Sequence, residues 1–247
     1  MREWFEDESF WRALYPYMFD KRRFAAADEQ VRNIIKLTGI RRGAVLDLCC
    51  GPARHSVALA RRGFQVTAVD RTRYLLNKAR RRAKSARARI EFVRADMRDF
   101  VRPRVYRLAL NLWTSFGYFD NKDDDVRALG NMFASLAPGG VCVLDVFGKE
   151  RLARMRAPAT VSRHDDGSLL IELHEIFDDW TRIRNEWILI KGNKVRRFPF
   201  HHTLYSGQEL SDRLRQAGFA NVKLYGDFDG QLYGPDAPRL VAVARKR

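Results

Sequence analysis

Short apolar runs alternate with amphipathic stretches between residues 44 and 146. Five of these runs have the length and composition of buried strands: Ala44–Leu48, Gln65–Asp70, Ile90–Arg94, 105–110 and 141–146. The stretches between them place apolar residues at helical spacing, and Leu75, Ala79 and Ala83 form the clearest stripe. Strands that alternate with helices in this way predict an α/β domain built on a parallel sheet.

The last helix of this region has a start signal and a stop signal. Three consecutive acids at 123–125 mark its start, where carboxylates interact favourably with the helix dipole. Its predicted buried stripe consists of Val126, Leu129, Phe133 and Leu136. The Pro-Gly-Gly sequence at 138–140 is expected to end this helix and to separate it from the strand at 141–146.

The parts of the chain outside this region have other patterns. Residues 1–43 predict a helical leader, with aromatic side chains around Pro16 and a helix from 21 to 37 that Gly39 ends. Within 147–204, three stretches read as antiparallel strands, and Gly192-Asn193 reads as a hairpin turn: Leu169–Phe177, 183–190 and 195–203. Residues 205–247 predict one further helix, ended by Gly218, and two strands at Asn221–Tyr225 and 240–244. The chain therefore divides into a leader (1–43), an α/β core (44–146), an insertion (147–204) and a segment that completes the core sheet (205–247).

The turn after the first strand indicates a nucleotide site. Strand, glycine turn and helix in that order form the first half of a nucleotide-binding βαβ unit, and Gly51 lets a ligand approach the backbone closely. Asp70 ends the next strand about twenty residues later, where such folds place a carboxylate on ribose hydroxyls. A dinucleotide site needs three glycines as G-x-G-x-x-G, but the turn here has Gly51 alone, and Pro52 has no N–H to donate. This turn favours a nucleoside whose tail is an amino acid over one with a pyrophosphate.

Three segments of the chain resemble the class I methyltransferases that depend on S-adenosylmethionine (SAM). The sequence AVLDLCCGPARHSVALARRG at 44–63 resembles their motif I, and the sequence at 111–119 resembles their motif IV. SLAPGGVCVLDV at 135–146 resembles their helix–PGG–strand segment. The resemblance covers 43–146 strongly and 205–245 more loosely. It implies a doubly wound, seven-stranded Rossmann-like sheet with the last strand antiparallel, the helical leader as a lid, and the small antiparallel β insertion as a roof over the active site.

The same resemblance implies which residues bind the cofactor. Asp96 matches the acid that accepts a hydrogen bond from the adenine amino group, and the Met97 backbone would meet the adenine ring. Asn111 is expected near the methionine moiety. The expected cofactor-binding residues are Asp47, Cys49, Gly51, Arg54, Asp70, Arg71, Asp96, Met97, Asn111 and Leu112. A turn-capping role is the alternative for Asp96.

Methyl transfer by in-line displacement depends mainly on holding the nucleophile close to the methyl carbon. A general base is needed only if the nucleophile binds in its protonated form. The candidates for catalysis are His201, His202 and Tyr205. Imidazole titrates near neutrality, and strand alternation turns only one of the two histidines inward. Aromatic faces attract a sulfonium with roughly 0.5–2 kcal/mol. The candidates for acceptor binding are Tyr15, Tyr17, Trp113, Phe116, Tyr118 and Tyr233. A structural role is the alternative for all of these residues.

The composition bears on partners and location. The chain has 247 residues and a formal net charge of +16, from 46 basic and 30 acidic residues. This excess would suit a polyanionic partner, but much of it lies at 71–94 around one apolar helix stripe, which favours a solvated surface. Neither a run of about 20 apolar residues nor a signal-peptide pattern is present. Cys49, Cys50 and Cys142 lie in or beside strands without metal spacing. These features predict a cytoplasmic protein with neither a membrane partner nor a bound metal.

The expected activity is transfer of a methyl group from SAM to a nitrogen or oxygen atom of a small molecule, with S-adenosylhomocysteine as the product. An RNA methyltransferase that uses the basic surface is the first alternative. It is disfavoured because Asn111 is followed by Leu-Trp-Thr instead of Pro-Pro and an aromatic residue, and because no cysteine lies between Cys50 and Cys142. A non-catalytic SAM-binding sensor is the second alternative. A nicotinamide-linked oxidoreductase fails on the missing glycines.

Overall fold

The computed structural model describes residues 3–155, 157 and 159–247, so two positions of the predicted leader and two of the predicted insertion lie outside the described residues. The strands in chain order are β1 (Ala44–Leu48), β2 (Gln65–Asp70), β3 (Ile90–Arg94), β4 (Tyr106–Asn111), β5 (Leu136–Val146), β6 (Ala159–Arg163), β7 (Leu169–Phe177), β8 (Arg182–Lys191), β9 (Lys194–Thr203), β10 (Asn221–Tyr225) and β11 (Leu240–Arg245). The helices are α1 (Glu8–Met18), α2 (Lys21–Thr38), α3 (Arg54–Ala60), α4 (Arg73–Ser85), α5 (Lys122–Ser135), α6 (Lys149–Arg154) and α7 (Gly207–Gln216).

The main sheet has seven strands in the order β10-β11-β5-β4-β1-β2-β3. Its strands from β5 to β3 pair in parallel, whereas β11 is antiparallel to both β5 and β10. The predicted doubly wound sheet with an antiparallel last strand is therefore confirmed. The strand order reverses between β1 and β4, and the carboxyl ends of parallel strands beside such a reversal are where open α/β sheets bind ligands.

Burial explains why the core strands could be read from the sequence. The central strands β1 and β4 are almost entirely buried, which gives the continuous apolar runs of a sheet covered on both faces. The predicted stripe of α4 is buried as well, at Leu75, Ala79 and Ala83. Leu76 is buried too, whereas the basic residues Arg73, Arg80, Arg81 and Lys84 are exposed, as expected for a solvated helix on the flank of a sheet.

Two details of α5 and β5 differ from the prediction. The strand begins at Leu136, which pairs with Tyr106, and the register shifts between Tyr106 and Leu108. The Pro-Gly-Gly sequence therefore lies inside β5, with Gly139 at a φ of 72°, and the prediction that it separates helix from strand is wrong. The buried face of α5 also differs from the predicted stripe and consists of Asp125, Ala128, Leu129, Met132 and Ser135.

The leader and the insertion pack against each other beside the main sheet. The insertion forms a four-stranded antiparallel sheet in the order β6-β7-β8-β9, with the predicted hairpin turn at Gly192-Asn193. The leader forms α1 and α2, and Gly39 ends α2 in a left-handed conformation, as predicted. Aromatic rings of the two parts are in contact. The ring centroids of Trp4 and Phe10 lie 4.9 and 5.5 Å from that of Phe200. The short elements α6 and β6 were not predicted, since four of the five β6 residues are exposed and leave no apolar pattern.

The described residues lack two features that would change the functional picture. None of their helices combines the length and the apolar character needed to cross a membrane. Among the same residues, no cluster of three or more histidine, cysteine, aspartate or glutamate side chains is arranged to hold a metal ion. The three cysteines are free thiols, with Cys50 and Cys142 buried and Cys49 partly buried.

Candidate active site

A cavity opens at the carboxyl ends of β1, β2 and β4, beside the point where the strand order reverses. We call it the donor cavity. Every expected cofactor residue except one lines it: Asp47, Cys49, Gly51, Arg54, Asp70, Arg71, Asp96, Met97 and Leu112. The exception is Asn111, which is fully buried behind the wall with its Nδ2 3.7 Å from the Met97 sulfur. Leader side chains, including Phe5 and Phe19, form the opposite wall.

The turn after β1 is fixed by the carboxylate that ends β2. Gly51 has a φ of 53°, and its N–H donates to Asp70 Oδ2 at 2.9 Å. The Thr72 N–H donates to Asp70 Oδ1 at 2.8 Å. Burial raises the pKa of Asp70 despite these bonds. A carboxylate has about four acceptor positions, so Asp70 keeps capacity for further donors from the cavity.

Opposite charges face the donor cavity on the other side of Gly51. Asp47 is buried and accepts a hydrogen bond from the Ser56 hydroxyl, and burial raises its pKa to about 6. Arg54 opens α3, and burial lowers its pKa to about 10. Its guanidinium donates to the Arg23 carbonyl at 3.2 Å and to Gln30 Oε1 at 3.3 Å. The donor cavity thus has one acidic and one basic side chain in its wall.

The acid after β3 is already fully engaged. Asp96 accepts hydrogen bonds from Arg98 on both of its oxygens and from Arg71 Nη1 on Oδ2 at 3.0 Å. Burial acts to raise the pKa of Asp96, but the bonds and charge of Arg98 hold it below its usual range. The same arginines reach the leader, because Arg71 pairs with Glu6 at 2.5 Å and Arg98 with Glu3 at 2.8 Å. Asp96 therefore ties the start of the leader to the rim of the donor cavity.

A second cavity of about 310 Å³, which we call the acceptor chamber, adjoins the first. The two share the side chains of Trp11, Met18, Trp113 and Tyr118. The chamber lies between the leader, the insertion sheet and the segment after β5. Its walls combine aromatic rings with polar groups, among them Trp4, Phe10, Trp187, Phe200, Arg23, Arg151, Glu172, His174, Asn185, His202 and Arg239.

Trp113 stands between the two cavities in a backbone conformation that needs support. Trp113 and Thr114 both have positive φ, at 67° and 57°, which is unfavourable for residues with a Cβ. Asp145 of β5 holds both residues, because its Oδ2 accepts from the Trp113 N–H at 3.0 Å and its carbonyl from the Thr114 N–H at 2.8 Å. The Arg239 guanidinium completes the network, because its Nε donates to Asp145 Oδ1 at 2.6 Å and its Nη2 donates to Thr114 Oγ1 at 3.0 Å.

Two arginines contact the Trp113 ring, one from the lining of each cavity. The guanidinium carbon of Arg23, which lines the acceptor chamber, lies 4.1 Å from its centroid. That of Arg54, which lines the donor cavity, lies 4.6 Å away. Such contacts contribute about 0.5–2 kcal/mol each, so the two arginines fix the plane of this ring.

The structure separates the three candidates for catalysis. His202 lines the acceptor chamber, its Nδ1 has no hydrogen-bond partner among the described residues, and burial lowers its pKa to about 4. The neighbouring His201 points the other way, as strand alternation requires, and its ring lies 2.6 Å from Asp120 Oδ1. Tyr205 lies outside both cavities, where its hydroxyl donates to the buried Asp125 at 2.6 Å.

The candidates for acceptor binding also divide. Trp113 and Tyr118 line both cavities, but the other four line neither. Phe116 is in the core against the Tyr205 ring, and Tyr15 stands edge-on to Tyr74. Tyr17 turns its hydroxyl towards Asp166 at 3.4 Å, and Tyr233 donates to Glu150 at 2.6 Å. Each of these side chains packs or bonds elsewhere, so their placement favours a structural role.

Several chamber residues were not singled out from the sequence. Glu172 and His174 of β7, and Asn185 and Trp187 of β8, each lie two positions apart and so share one face of their strand. That alternation was a usable signal. Arg239 and Arg151 gave none, because an arginine in so basic a chain does not stand out.

Comparisons with known proteins agree with this geometry. Residues 45–140 match the family model described as a methyltransferase domain. YqeM of Bacillus subtilis (strain 168), whose name assigns it provisionally to the methyltransferases, is 24% identical over 93% of this chain and 94% of its own length. A dTDP-3-amino-3,4,6-trideoxy-alpha-D-glucopyranose N,N-dimethyltransferase of Streptomyces venezuelae is 23% identical over 87% of this chain and 91% of its own.

The fold has solved counterparts. The structure of an S-adenosylmethionine-dependent methyltransferase from Clostridium acetobutylicum ATCC 824 superposes with a TM-score of 0.77 at 16% identity, covering 96% of each chain. The domain match at 45–140, the sheet order and the relatives that align along almost the whole chain agree: the chain is similar in sequence to methyltransferases and has the fold of the SAM-dependent methyltransferases.

Proposed function

We propose that the protein transfers a methyl group from SAM to a nitrogen atom of a small molecule held in the acceptor chamber. The observation that carries the proposal is the wall of Trp11, Met18, Trp113 and Tyr118, which both cavities share. A donor on one side and an acceptor on the other would meet at this wall. The name of the Streptomyces venezuelae relative, an N,N-dimethyltransferase of a nucleotide-linked amino sugar, supports nitrogen as the atom methylated.

The residues of the donor cavity fit a nucleoside with an amino-acid tail. Asp70 has acceptor capacity left for the two ribose hydroxyls. Asp47 and Arg54 carry the charges that an ammonium and a carboxylate require, and both are buried enough for these contacts to be strong. Pro52 offers no N–H, so the turn has little to bind a pyrophosphate with. We assign the ribose to Asp70 and the methionine tail to Asp47 and Arg54.

When bound, SAM supplies a methyl group on a cationic sulfur that is already a good leaving group. The protein's own part is to hold the acceptor, orient its lone pair and exclude water. Trp113 and Tyr118 contribute their rings to the shared wall. The lowered pKa of His202 leaves its ring unprotonated at neutral pH. Its Nδ1, which has no partner among the described residues, can then accept a hydrogen bond from an N–H group of the methyl acceptor. We assign it this orienting role instead of that of a strong base.

The covering of the chamber favours a small acceptor over RNA. A volume of about 310 Å³ is at the lower end of the range typical of small-molecule sites. The leader covers the chamber with Trp4 and Phe10, and the insertion covers it with Trp187 and Phe200. We assign the leader the role of a lid and the insertion that of a roof. A base within a polynucleotide would have to displace these aromatic contacts.

The test is methyl transfer from labelled SAM to a panel of small amines, to their hydroxyl analogues and to total RNA. The panel contains amino sugars, nucleotide-linked amino sugars and amino acids. Label on the nitrogen of a small amine is expected, together with loss of activity in Trp113→Ala and normal activity in the control Tyr17→Phe, which lies outside both cavities. Label only in RNA would overturn the proposal, and so would binding of SAM without transfer to any member of the panel.

A further inference from the structure

The part of the acceptor chamber next to Phe147 carries two guanidinium groups. Arg151 of α6 and Arg239, which precedes β11, both line the chamber and both contact the same ring. Their guanidinium carbons lie 5.0 and 4.1 Å from the Phe147 centroid. Two like charges on one small ring repel each other, so their juxtaposition needs compensation.

Among the described residues, such compensation exists for one of the two arginines. Arg239 forms a short ion pair with the buried Asp145, at 2.6 Å. Within residues 3–155, 157 and 159–247, Arg151 has no ion pair, and its guanidinium donates to the uncharged carbonyl of Pro238 at 2.9 Å. Burial lowers the pKa of Arg151, and the charges of Arg239 and Arg154 lower it further. Arg151 is thus a partly buried cation whose charged neighbours disfavour its charge.

A further group in the same chamber also lacks a partner. Asn185 is 92% buried, lines the chamber, and its Nδ2 donates to nothing among the described residues. A buried amide N–H₂ without an acceptor destabilises the protein, so a ligand group that accepts a hydrogen bond from it binds more favourably. Among the described residues, the chamber therefore has a guanidinium without an ion pair and an amide N–H₂ without a hydrogen-bond acceptor. Both would be satisfied by a ligand group that accepts hydrogen bonds.

We propose that Arg151, in the field of Arg239, forms an anion subsite, and that the methyl acceptor carries a carboxylate or a phosphate that binds there. The guanidinium is a planar fork that matches both anions, and the bond to Pro238 uses one of its five N–H donors. This inference rests on the proposed function. It restricts the methyl acceptor to an amine that also carries an anionic group. Amines without such a group, simple polyamines among them, are excluded.

A binding experiment tests the subsite without methyl transfer. The protein saturated with S-adenosylhomocysteine is titrated with inorganic phosphate and, separately, with acetate, and binding is followed by calorimetry. We expect at least one anion to bind, with affinity at least tenfold lower in Arg151→Gln and partly restored in Arg151→Lys. The matched control is Arg127→Gln, outside both cavities, whose exposed side chain pairs with Asp99 at 2.9 Å. Arg127→Gln should bind as the wild type does.

The outcome also identifies the anion. Binding of phosphate alone indicates a phosphorylated acceptor, and binding of acetate alone indicates a carboxylate. The proposal is overturned if neither anion binds, or if Arg151→Gln binds as tightly as Arg127→Gln. Because no methyl acceptor is present, this result is independent of whether nitrogen methylation occurs.

A second arm uses turnover on three matched amines: 2-amino-2-deoxyglucose, its 6-phosphate and the corresponding 6-carboxylate. We expect kcat/KM for one of the anionic amines to exceed that of the neutral sugar by tenfold or more, and Arg151→Gln to abolish this preference. Equal use of all three amines by the wild type would contradict the subsite and leave the proposed nitrogen methylation intact.

Discussion

The substitution Asp145→Asn tests how the wall between the two cavities is held. Asp145 is buried, and its two oxygens bind different partners, since Oδ1 accepts from Arg239 Nε and Oδ2 accepts from the Trp113 N–H. An asparagine keeps the shape but has a single acceptor oxygen, and it removes the charge opposite Arg239. Removing one partner of a buried ion pair costs about 3–5 kcal/mol, because the other charge stays buried without compensation.

Two consequences should be separable. The free energy of unfolding, from urea denaturation, should fall by about 3–5 kcal/mol in Asp145→Asn, out of a total of roughly 5–15 kcal/mol for a domain. Methyl transfer should fall more than affinity for S-adenosylhomocysteine, since the Trp113 N–H and Arg239 are left with one side-chain acceptor oxygen between them, and the positive φ of Trp113 loses support. The bond from the Thr114 N–H to the main-chain carbonyl of residue 145 remains. Urea denaturation measures the first effect, and transfer of labelled methyl against calorimetric binding measures the second.

The control is an exposed pair of the same chemistry. Asp212 and Arg215 are 2.9 Å apart on α7, and both side chains are more than half exposed. Asp212→Asn should change stability by no more than about 1 kcal/mol. The double variant Asp145→Asn/Arg239→Gln should be less destabilised than the sum of its two single variants, because no unpaired charge is then left. A loss in Asp145→Asn that is no larger than that of the control would show that the buried pair does not hold the wall.

Further predictions concern Asp125 and the two histidines. Burial raises the pKa of Asp125 from 3.8 to about 7, so its ionised form is disfavoured in the folded protein. The free energy of unfolding of the wild type should therefore fall as the pH rises from 4 to 7, and Asp125→Asn should lack this part of the fall. At 1.36 kcal/mol per pKa unit the fall is at most roughly 4 kcal/mol, and urea denaturation of both proteins at pH 4 and pH 8 measures it. His202→Phe should lower kcat about tenfold with unchanged affinity for S-adenosylhomocysteine, because one orienting hydrogen bond of about 1.5 kcal/mol is lost. His201→Asn should leave kcat unchanged, and equal losses in both histidine variants would argue against the assignment of His202.

The sequence indicated which residues gather at the donor cavity, because its signals there are local. The glycine turn follows β1 directly, and Asp70 and Arg71 follow from the end of the next strand. A parallel sheet brings the carboxyl ends of its strands to one edge, so order along the chain is enough to place these residues together. Asn111 is the exception, since its side chain is fully buried against the Met97 sulfur and does not line the cavity.

The acceptor side could not be read in the same way because its residues come from four distant segments. Trp4 belongs to the leader, Trp113 to the turn after β4, Asn185 to the insertion and Arg239 to the approach to β11. Which side of each segment faces the chamber depends on how the leader and the insertion pack. Tyr15, which from the sequence alone is as good a candidate as Trp113, turns to α4 instead.

Asp125 shows a second limit of sequence reasoning. Three consecutive acids at a helix start suggest one common role at the dipole, yet only Asp125 is fully buried. Its partner Tyr205 lies 80 residues further along the chain. A pairing at such a separation leaves no local pattern, so neither the burial of Asp125 nor the structural position of Tyr205 could be inferred beforehand.

The assignment of the donor cavity is tested most simply by the affinity of S-adenosylhomocysteine for Asp70→Asn, measured by titration calorimetry on protein that circular dichroism shows to be folded. The ribose assignment predicts a Kd raised by about tenfold or more, since a hydrogen bond to a charged group contributes about 1.5–3 kcal/mol. Asp99→Asn, at an exposed pair with Arg127, serves as the control and should bind like the wild type. An unchanged Kd in folded Asp70→Asn would contradict the assignment of the donor cavity and, with it, the proposed transfer across the shared wall.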